Sequence, residues 1–227
     1  MSQDFKRIVK REYLKCVENP VYFMKKYCTI QHPQQGKMKF DLYPFQEDCL
    51  KEFHTNRYNI ILKSRQLGIS TLSAGYSLWM ILFHADKNVL VIATGKDTAK
   101  NLVTKVRVMY DGLPQWLRTG TEEINKLSIR FTNGSQIKAI ASNESAGRSE
   151  ALSLLIIDEA AFIDKIDTIW TAAQQTLATG GGCIALSTPN GVGNWFHQQW
   201  VGAEDGTNEF NTIKLHWSMH PDRKQDW

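Results

Sequence analysis

Long apolar runs alternate with amphipathic stretches over most of the chain. The uninterrupted apolar runs predict strands that are covered on both faces, at residues 58–62, 89–93, 154–157 and 183–186. The amphipathic stretches between them predict helices at residues 70–83, 97–110 and 170–179. Because strands and helices alternate, we expect an α/β fold with a mostly parallel sheet and helices on both faces.

Before and within this alternation lie two other patterns. The N-terminal part predicts helices and one polar loop, in the order helix 3–17, helix 22–27, loop 31–39 and helix 43–54. Asn133-Gly134 is a strong signal for a β-hairpin turn, flanked by strands at 127–131 and 136–141. A last strand is expected at 209–216.

These patterns predict one domain over residues 1–227. Its parts are an N-terminal helical region at 1–56, a core at 57–217 and the start of a linker at 218–227. The chain ends in a polar segment, which is typical of a domain excised from a longer protein.

Composition narrows the class of protein only a little. Hydrophobic residues make up 42% of the 227, which excludes a disordered chain. The net charge of +4 permits an anionic partner without requiring one. The four cysteines show no C-x-x-C pairing, so a reduced, intracellular compartment is expected. No stretch is apolar enough to span a bilayer, and no membrane partner is expected.

The segment Lys-Ser-Arg-Gln-Leu-Gly-Ile-Ser-Thr at 63–71 is an imperfect match to the phosphate-binding pattern G-x-x-x-x-G-K-[ST]. Ile69 occupies the usual lysine position, and Lys63 stands where the first glycine belongs. The segment lies between a predicted strand and a predicted helix, the context in which backbone N–H groups bind phosphate. We therefore predict a P-loop NTPase of the RecA-like, ASCE type that binds ATP through Lys63, Ser64, Arg65, Gln66, Leu67, Gly68, Ile69, Ser70 and Thr71. An ordinary strand-to-helix turn is the alternative.

Two carboxylates directly follow the apolar run at 154–157. Asp158, with the Ser70 hydroxyl, is expected to hold Mg²⁺, and Glu159 to orient or deprotonate the attacking water. Lys63 and Arg65 are the cations expected to contact phosphate, Arg65 also as a catalytic residue. A simple helix N-cap is the alternative for the acidic pair.

Four other candidates each have a plain structural alternative. Ser187, Thr188 and Pro189 end the next apolar strand, where they would lie beside the γ-phosphate, or form only a turn. Gln46 can bond an adenine edge with its amide, or simply begin a helix. Arg148 can stabilise transition-state charge in its own or a neighbour's site, or be a solvated surface arginine. Basic residues on and directly before the helix 97–110 can face DNA or only solvent. They include Lys96, Lys100, Lys105 and Arg107.

As a set, these segments resemble the large terminase subunit of tailed bacteriophages. The similar segments are 19–23 (NPVYF), 64–68 (SRQLG), 125–129 (NKLSI), 133–135 (NGS), 157–163 (IDEAAFI) and 187–191 (STPNG). The resemblance implies a DNA-packaging motor in which Asp158 binds Mg²⁺, Glu159 is catalytic and Ser187 to Pro189 couple hydrolysis to movement. Ile69 departs from the family's usual lysine.

The resemblance also implies partners and a location. These are double-stranded DNA, a portal protein, a small terminase subunit and a homo-oligomeric ring, pentameric when assembled, in the host cytoplasm and transiently at the prohead portal. The family's C-terminal nuclease domain is expected to be absent from these residues. Two other functions remain open, a helicase-type DNA-dependent ATPase and a non-hydrolysing DNA-binding module.

Overall fold

The computed structural model describes residues 3–32, 34–142 and 150–223. Its α-helices are α1 Gln3–Glu18, α2 Pro20–Tyr27, α3 Pro44–Thr55, α4 Ile69–Phe83, α5 Lys96–Gly112, α6 Ile166–Leu177 and α7 Trp195–Glu204. Its strands are β1 Thr29–His32, β2 Gly36–Lys39, β3 Tyr58–Lys63, β4 Asn88–Ala93, β5 Thr121–Ile124, β6 Ser128–Phe131, β7 Gln136–Ala141, β8 Leu154–Asp158, β9 Gly182–Ser187 and β10 Phe210–Leu215. Short 3₁₀ turns lie at Gln115–Leu117, Ala160–Phe162 and Trp217–Met219.

The main sheet has the strand order β10-β3-β9-β8-β4-β7-β6-β5. The strands from β10 to β7 are parallel to one another, and β6 and β5 are added antiparallel. The carboxyl ends of β3, β9, β8 and β4 therefore meet at one edge of the sheet, where loops position ligands in open α/β folds. The predicted α/β class with a mostly parallel sheet and a β-hairpin is confirmed.

The central strands are buried on both faces because helices cover each side of the sheet. Val89 and Val91 on β4 pack into the core beneath α1 to α5. Leu90 and Ile92 on the same strand pack into the second core, beneath α6 and α7. This alternation explains why the sequence shows a continuous apolar run instead of an alternating one. α4, which follows β3, is buried along almost its whole length, and it fixes the position of the loop before it.

The N-terminal helices are attached to this core and to each other by polar contacts. Glu12 on α1 accepts hydrogen bonds from Lys26 Nζ at 2.6 Å and from Tyr22 Oη at 2.7 Å, both on α2. The hydrogen bond from Lys26, followed by that from Tyr22, lowers the pKa of Glu12 to about 2. Trp79 of α4 donates its indole N–H to the carbonyl of Cys16 at 2.8 Å, so α1 is fixed at its C-terminal end.

The structure corrects several predicted elements. The predicted polar loop at 31–39 is wrong, because β1 and β2 pair there as an antiparallel ribbon. These strands are short and polar, so they carry no periodic apolar signal. α6 lies at 166–177 rather than 170–179, and α7 and β5 were not predicted. α7 begins where the Asn194 side chain accepts the His197 N–H at 3.1 Å, a cap that was visible in the sequence.

The cysteines are all buried free thiols. None of the helices in the described part of the chain is long and apolar enough to cross a bilayer.

Candidate nucleotide site

The loop between β3 and α4 borders a cavity of about 730 Å³ at the carboxyl edge of the sheet. The cavity is lined by Lys63, Arg65, Gln66, Leu67, Gly68, Ile69, Ser70, Thr71, Thr94, Lys105, Glu159, Phe162 and Thr188. The structure therefore brings together most of the residues predicted to bind ATP. Ser64 lies in the same loop but lines a neighbouring cavity of about 470 Å³, with Arg65, Pro189, Trp217 and Arg223 among others.

The backbone of the loop takes left-handed conformations that shape it around the cavity. Gly68 has φ +74° and Gln66 has φ +59°, a region that costs a residue with a side chain some energy. A Cβ on Gly68 would also lie 2.7 Å from Nε2 of Gln46. Glycine at this position is thus required by both conformation and space.

Ile69, in the usual lysine position, is 1% exposed and belongs to the core beneath α4. It can offer the cavity its backbone, but its side chain supplies no charge. The cations at the cavity must come from elsewhere in the chain.

Lys63 and Glu159 form an ion pair inside the site. Lys63 Nζ lies 2.7 Å from Glu159 Oε1, and the Lys63 side chain is 7% exposed. The pair joins the end of β3 to the residue after β8, across β9. The lysine predicted to contact phosphate therefore contacts the predicted catalytic carboxylate in this structure.

The second oxygen of Glu159 is bonded to the end of β9. Thr188 donates to Oε2 from its backbone N–H at 3.2 Å and from its hydroxyl at 3.3 Å, and Ser187 Oγ lies 3.4 Å away. Burial alone would raise the pKa of Glu159, but the hydrogen bond and charge of Lys63, with the bonds from Thr188, lower it. Glu159 also has φ +53°, which is the kind of backbone strain that accumulates at functional sites.

Asp158 and Ser70 have the chemistry of a magnesium site. Ser70 Oγ donates to Asp158 Oδ1 at 3.1 Å, so a hydroxyl and a carboxylate lie side by side at the start of α4. Burial raises the pKa of Asp158, and the charge of Lys63 acts in the opposite direction. Mg²⁺ is commonly held by one or two protein oxygens, with phosphates and waters completing the shell, and these two residues fit that pattern. The described residues contain no group of three or more His, Cys, Asp or Glu side chains that could hold a metal ion.

Ser187, Thr188 and Pro189 link the site to the segment after β8. Ser187 Oγ accepts the backbone N–H of Ala161 at 3.1 Å, and Asn190 donates to the carbonyl of Ala161 at 2.9 Å. The end of β9 therefore contacts both Glu159 and the 3₁₀ turn that follows it. Pro189 is exposed and lines the neighbouring cavity.

Gln46 lies behind the loop and does not line the cavity. It is 3% exposed, its Oε1 accepts the Tyr43 N–H at 3.0 Å, and its Nε2 donates to the Leu67 carbonyl at 2.9 Å. In this structure its amide supports the phosphate-binding loop, and its use in reading adenine stays a prediction.

Of the two arginines predicted as catalytic residues, the structure describes only Arg65. The Arg65 side chain is exposed and lines both cavities, and its backbone carbonyl accepts a hydrogen bond from Arg223 Nη2 at 2.7 Å. Arg148 lies outside the described residues, and its role stays a prediction.

Three residues of the cavity wall were not predicted as site residues. Thr94 directly follows β4, so its place at the end of an apolar strand was a usable signal. Phe162 lies in the segment 157–163, which was singled out only for its carboxylates. Lys105 was considered only for DNA or solvent, and its place in this cavity follows from how α5 packs beside α4.

A parallel sheet, a glycine-containing loop before α4 and a carboxylate pair at the end of β8 define a P-loop NTPase. The chain belongs to the family described as "Terminase large subunit, T4likevirus-type, N-terminal", whose model matches residues 60–222. The predicted resemblance is thereby confirmed.

Individual relatives are distant in sequence. The "probable terminase, large subunit gp28" of Escherichia phage Mu is 26% identical over 168 residues, which cover 67% of this chain and 30% of that protein. The solved ATPase domain of the large terminase of Thermus phage P74-26 is 22% identical with a TM-score of 0.58, covering 74% of this chain and 80% of that one. A large terminase from a thermophilic bacteriophage, in complex with ATP-gamma-S, is 13% identical with a TM-score of 0.62, covering 82% of this chain and 47% of that one. The chain thus spans less than half the length of two of these three proteins.

Proposed function

We propose that this chain is the ATPase motor of a DNA-packaging terminase and that it hydrolyses ATP by in-line attack of water on the γ-phosphate. The observation that carries the proposal is the meeting of Glu159 and Lys63, at 2.7 Å, in the wall of the cavity that the phosphate-binding loop borders. A base and a cation at the open end of a phosphate cradle are the parts that phosphoryl transfer to water requires. A related terminase was solved with ATP-gamma-S, which supports the choice of nucleotide.

Each residue of the site has a role that follows from its position. Backbone N–H groups from Gln66 to Ser70 hold the phosphates, and Arg65 adds positive charge from the exposed side of the loop. Ser70 and Asp158 would hold Mg²⁺, which would offset the negative charge of the phosphates. Glu159 accepts the proton of the attacking water once Lys63 has turned from its carboxylate to phosphate.

Hydrolysis is coupled to movement through the end of β9. Thr188 bonds Glu159, and Ser187 bonds the backbone of Ala161, so a change in the ion pair of Glu159 shifts these contacts together. The structural change that follows loss of the γ-phosphate is thereby transmitted to Pro189 and the segment after it.

The movement drives double-stranded DNA into a viral prohead. Membership of the large terminase family supports this role. The working form is a ring of copies of this protein, pentameric when assembled, on a portal protein and assisted by a small terminase subunit. It acts in the host cytoplasm and transiently at the portal. We propose that residues 1–227 act as a single motor domain and cut no DNA themselves.

A phosphate-release assay on the purified chain, with and without double-stranded DNA, tests the proposal. We expect magnesium-dependent release of phosphate that Glu159→Gln removes, and stimulation of that release by DNA. A wild-type protein that binds ATP-gamma-S but releases no phosphate under any of these conditions would favour a non-hydrolysing DNA-binding module. Movement along single strands without need for a duplex would favour the helicase class.

A further inference from the structure

One lysine of the cavity wall has no part in the function proposed above. Lys105 lies on α5, in the third turn of the helix, and its half-buried side chain lines the same cavity as Gly68, Ser70 and Glu159. Lys96 and Arg107 on the same helix are exposed and do not line it. Lys105 therefore differs from its basic neighbours in being turned toward the phosphate-binding loop.

Its position places it on the side of the cavity where β8 and β4 end. Thr94, at the end of β4, lines the cavity together with Lys105. Ser70 also lines this cavity, so Lys105 shares its wall with one of the two residues expected to hold Mg²⁺.

The other candidate cations do not supply all the positive charge expected at a phosphate-binding loop. Ile69 removes the lysine from its usual place in the loop, and Lys63 is held by Glu159 at 2.7 Å. In the described part of the chain, by contrast, no carboxylate lies within ion-pair distance of Lys105. A half-buried ammonium on the wall of this cavity is well placed to bind the terminal phosphates of a nucleotide.

We propose that Lys105 is a further phosphate-binding residue, which contacts the β- or γ-phosphate of ATP from α5 and supplies charge that the loop lacks. The proposal rests on the proposed function for the identity of the ligand. The positive charge that Ile69 does not supply would then come from two other residues, Lys63 at the end of β3 and Lys105 on α5. Because Lys105 lines the cavity together with Ser70 and Glu159, we expect its contact to favour ATP over ADP.

The test uses Lys105→Met, which keeps most of the length of the side chain and removes its charge, and Lys105→Arg, which keeps the charge. Lys100→Met is the matched control, because Lys100 is a half-buried lysine of the same helix that does not line the cavity. Binding of ATP-gamma-S and of ADP is measured by calorimetry without DNA, and steady-state phosphate release is measured in parallel. Circular dichroism and thermal melting show whether each variant is folded.

Loss of one charge-assisted phosphate contact should weaken ATP-gamma-S binding by about tenfold or more. We expect that loss in Lys105→Met, a smaller loss for ADP, partial recovery in Lys105→Arg and unchanged binding in Lys100→Met. Unchanged ATP-gamma-S affinity in folded Lys105→Met would overturn the proposal. So would a variant that keeps its nucleotide affinity and DNA-free turnover but loses DNA binding, since Lys105 would then be a DNA contact. A wild-type chain that binds nucleotide without hydrolysing it would refute the ATPase function, and the binding comparison would still decide the role of Lys105.

Discussion

The proton affinity of Glu159 is set by a contact that the reaction must break. While Lys63 holds the carboxylate, its pKa is lowered, and a weakly basic, ion-paired carboxylate is a poor acceptor for the proton of water. In the proposed mechanism, ATP offers Lys63 a more highly charged partner. We expect transfer of the lysine to phosphate to raise the basicity of Glu159 only when nucleotide is bound.

The first prediction tests this exchange at Lys63. Lys63→Ala should weaken ATP binding roughly 10- to 100-fold, as expected for a lost charge-assisted contact, and nearly abolish phosphate release. Calorimetry with ATP-gamma-S and the phosphate-release assay measure the two effects, with the distant Lys100→Ala as control. Near-normal turnover in Lys63→Ala would assign the cation's role to Arg65.

The second prediction separates the two carboxylates. Glu159→Gln keeps the shape of the side chain but removes the base, so it should bind Mg-ATP and lose roughly 10²–10⁴-fold in turnover. Asp158→Asn should instead reduce the part of nucleotide affinity that depends on Mg²⁺. Titrating nucleotide with and without Mg²⁺ distinguishes them, and an equal loss of affinity in both variants would contradict this division of roles.

At the scale of residues, the sequence was informative where a site is local in the chain. Spacing placed Gly68, Ser70, Asp158 and Glu159 correctly at the carboxyl edge of the sheet. It could not show that Lys63 pairs with Glu159 or that Lys105 reaches the cavity, because these contacts depend on how distant elements pack. It also could not show that Gln46 supports the loop from behind.

The phosphate-binding loop packs closely against Gln46 of α3 at Gly68. Gly68→Ala should lower the free energy of unfolding by about 1–2 kcal/mol through its positive φ, and by more because the new Cβ meets Gln46 Nε2. Gly36→Ala is a matched control, since Gly36 has φ +69° with nothing within 4 Å of its added Cβ. Urea unfolding measures both, and adding Gln46→Ala should recover part of the loss only in the Gly68 variant. Equal losses of unfolding free energy at the two glycines would show that the Gln46 side chain moves aside at no energetic cost.

The contact between α1 and α2 gives a prediction about pH. Because the pKa of Glu12 is lowered from 4.5 to about 2 in the folded state, its contribution is fully present above pH 4.5 and is lost as the pH falls toward 2. Glu12→Gln should therefore increase hydrogen exchange in α1 at neutral pH, and the difference from wild type should shrink on acidification. Glu18→Gln, at an exposed position of the same helix, is the control. A difference that persists unchanged at pH 2 would mean that Glu12 acts through packing and not through its charge.

Long elements with a buried apolar face were predictable, and short polar ones were not. The strands β3, β4, β8 and β9 follow from their apolar runs, whereas β1, β2 and β5 show no comparable pattern. Their backbone pairing is decided by neighbouring strands and not by their own side chains.

For the whole assembly, the prediction concerns cooperation between copies. If Arg148 supplies transition-state charge to a neighbour's site, Arg148→Ala and Glu159→Gln should each be inactive, and mixing them should partly restore phosphate release. A mixed ring pairs an intact Glu159 with an intact Arg148 from the next copy, an effect worth about 10³–10⁵ in rate where such arginines act. The measurement is phosphate release against mixing ratio, at concentrations where light scattering shows association. No recovery under those conditions would mean that Arg148 either acts within its own copy or has only a structural role.

The chain that leaves β10 is fastened to the phosphate-binding loop before it continues. Ser64 donates its backbone N–H to the Leu215 carbonyl at 3.1 Å, and Arg223 bonds the Arg65 carbonyl. A tensile load applied to the chain beyond residue 223 is therefore borne in part by the loop that grips the nucleotide. In the proposed motor, we therefore expect an opposing force to change how long the nucleotide stays bound.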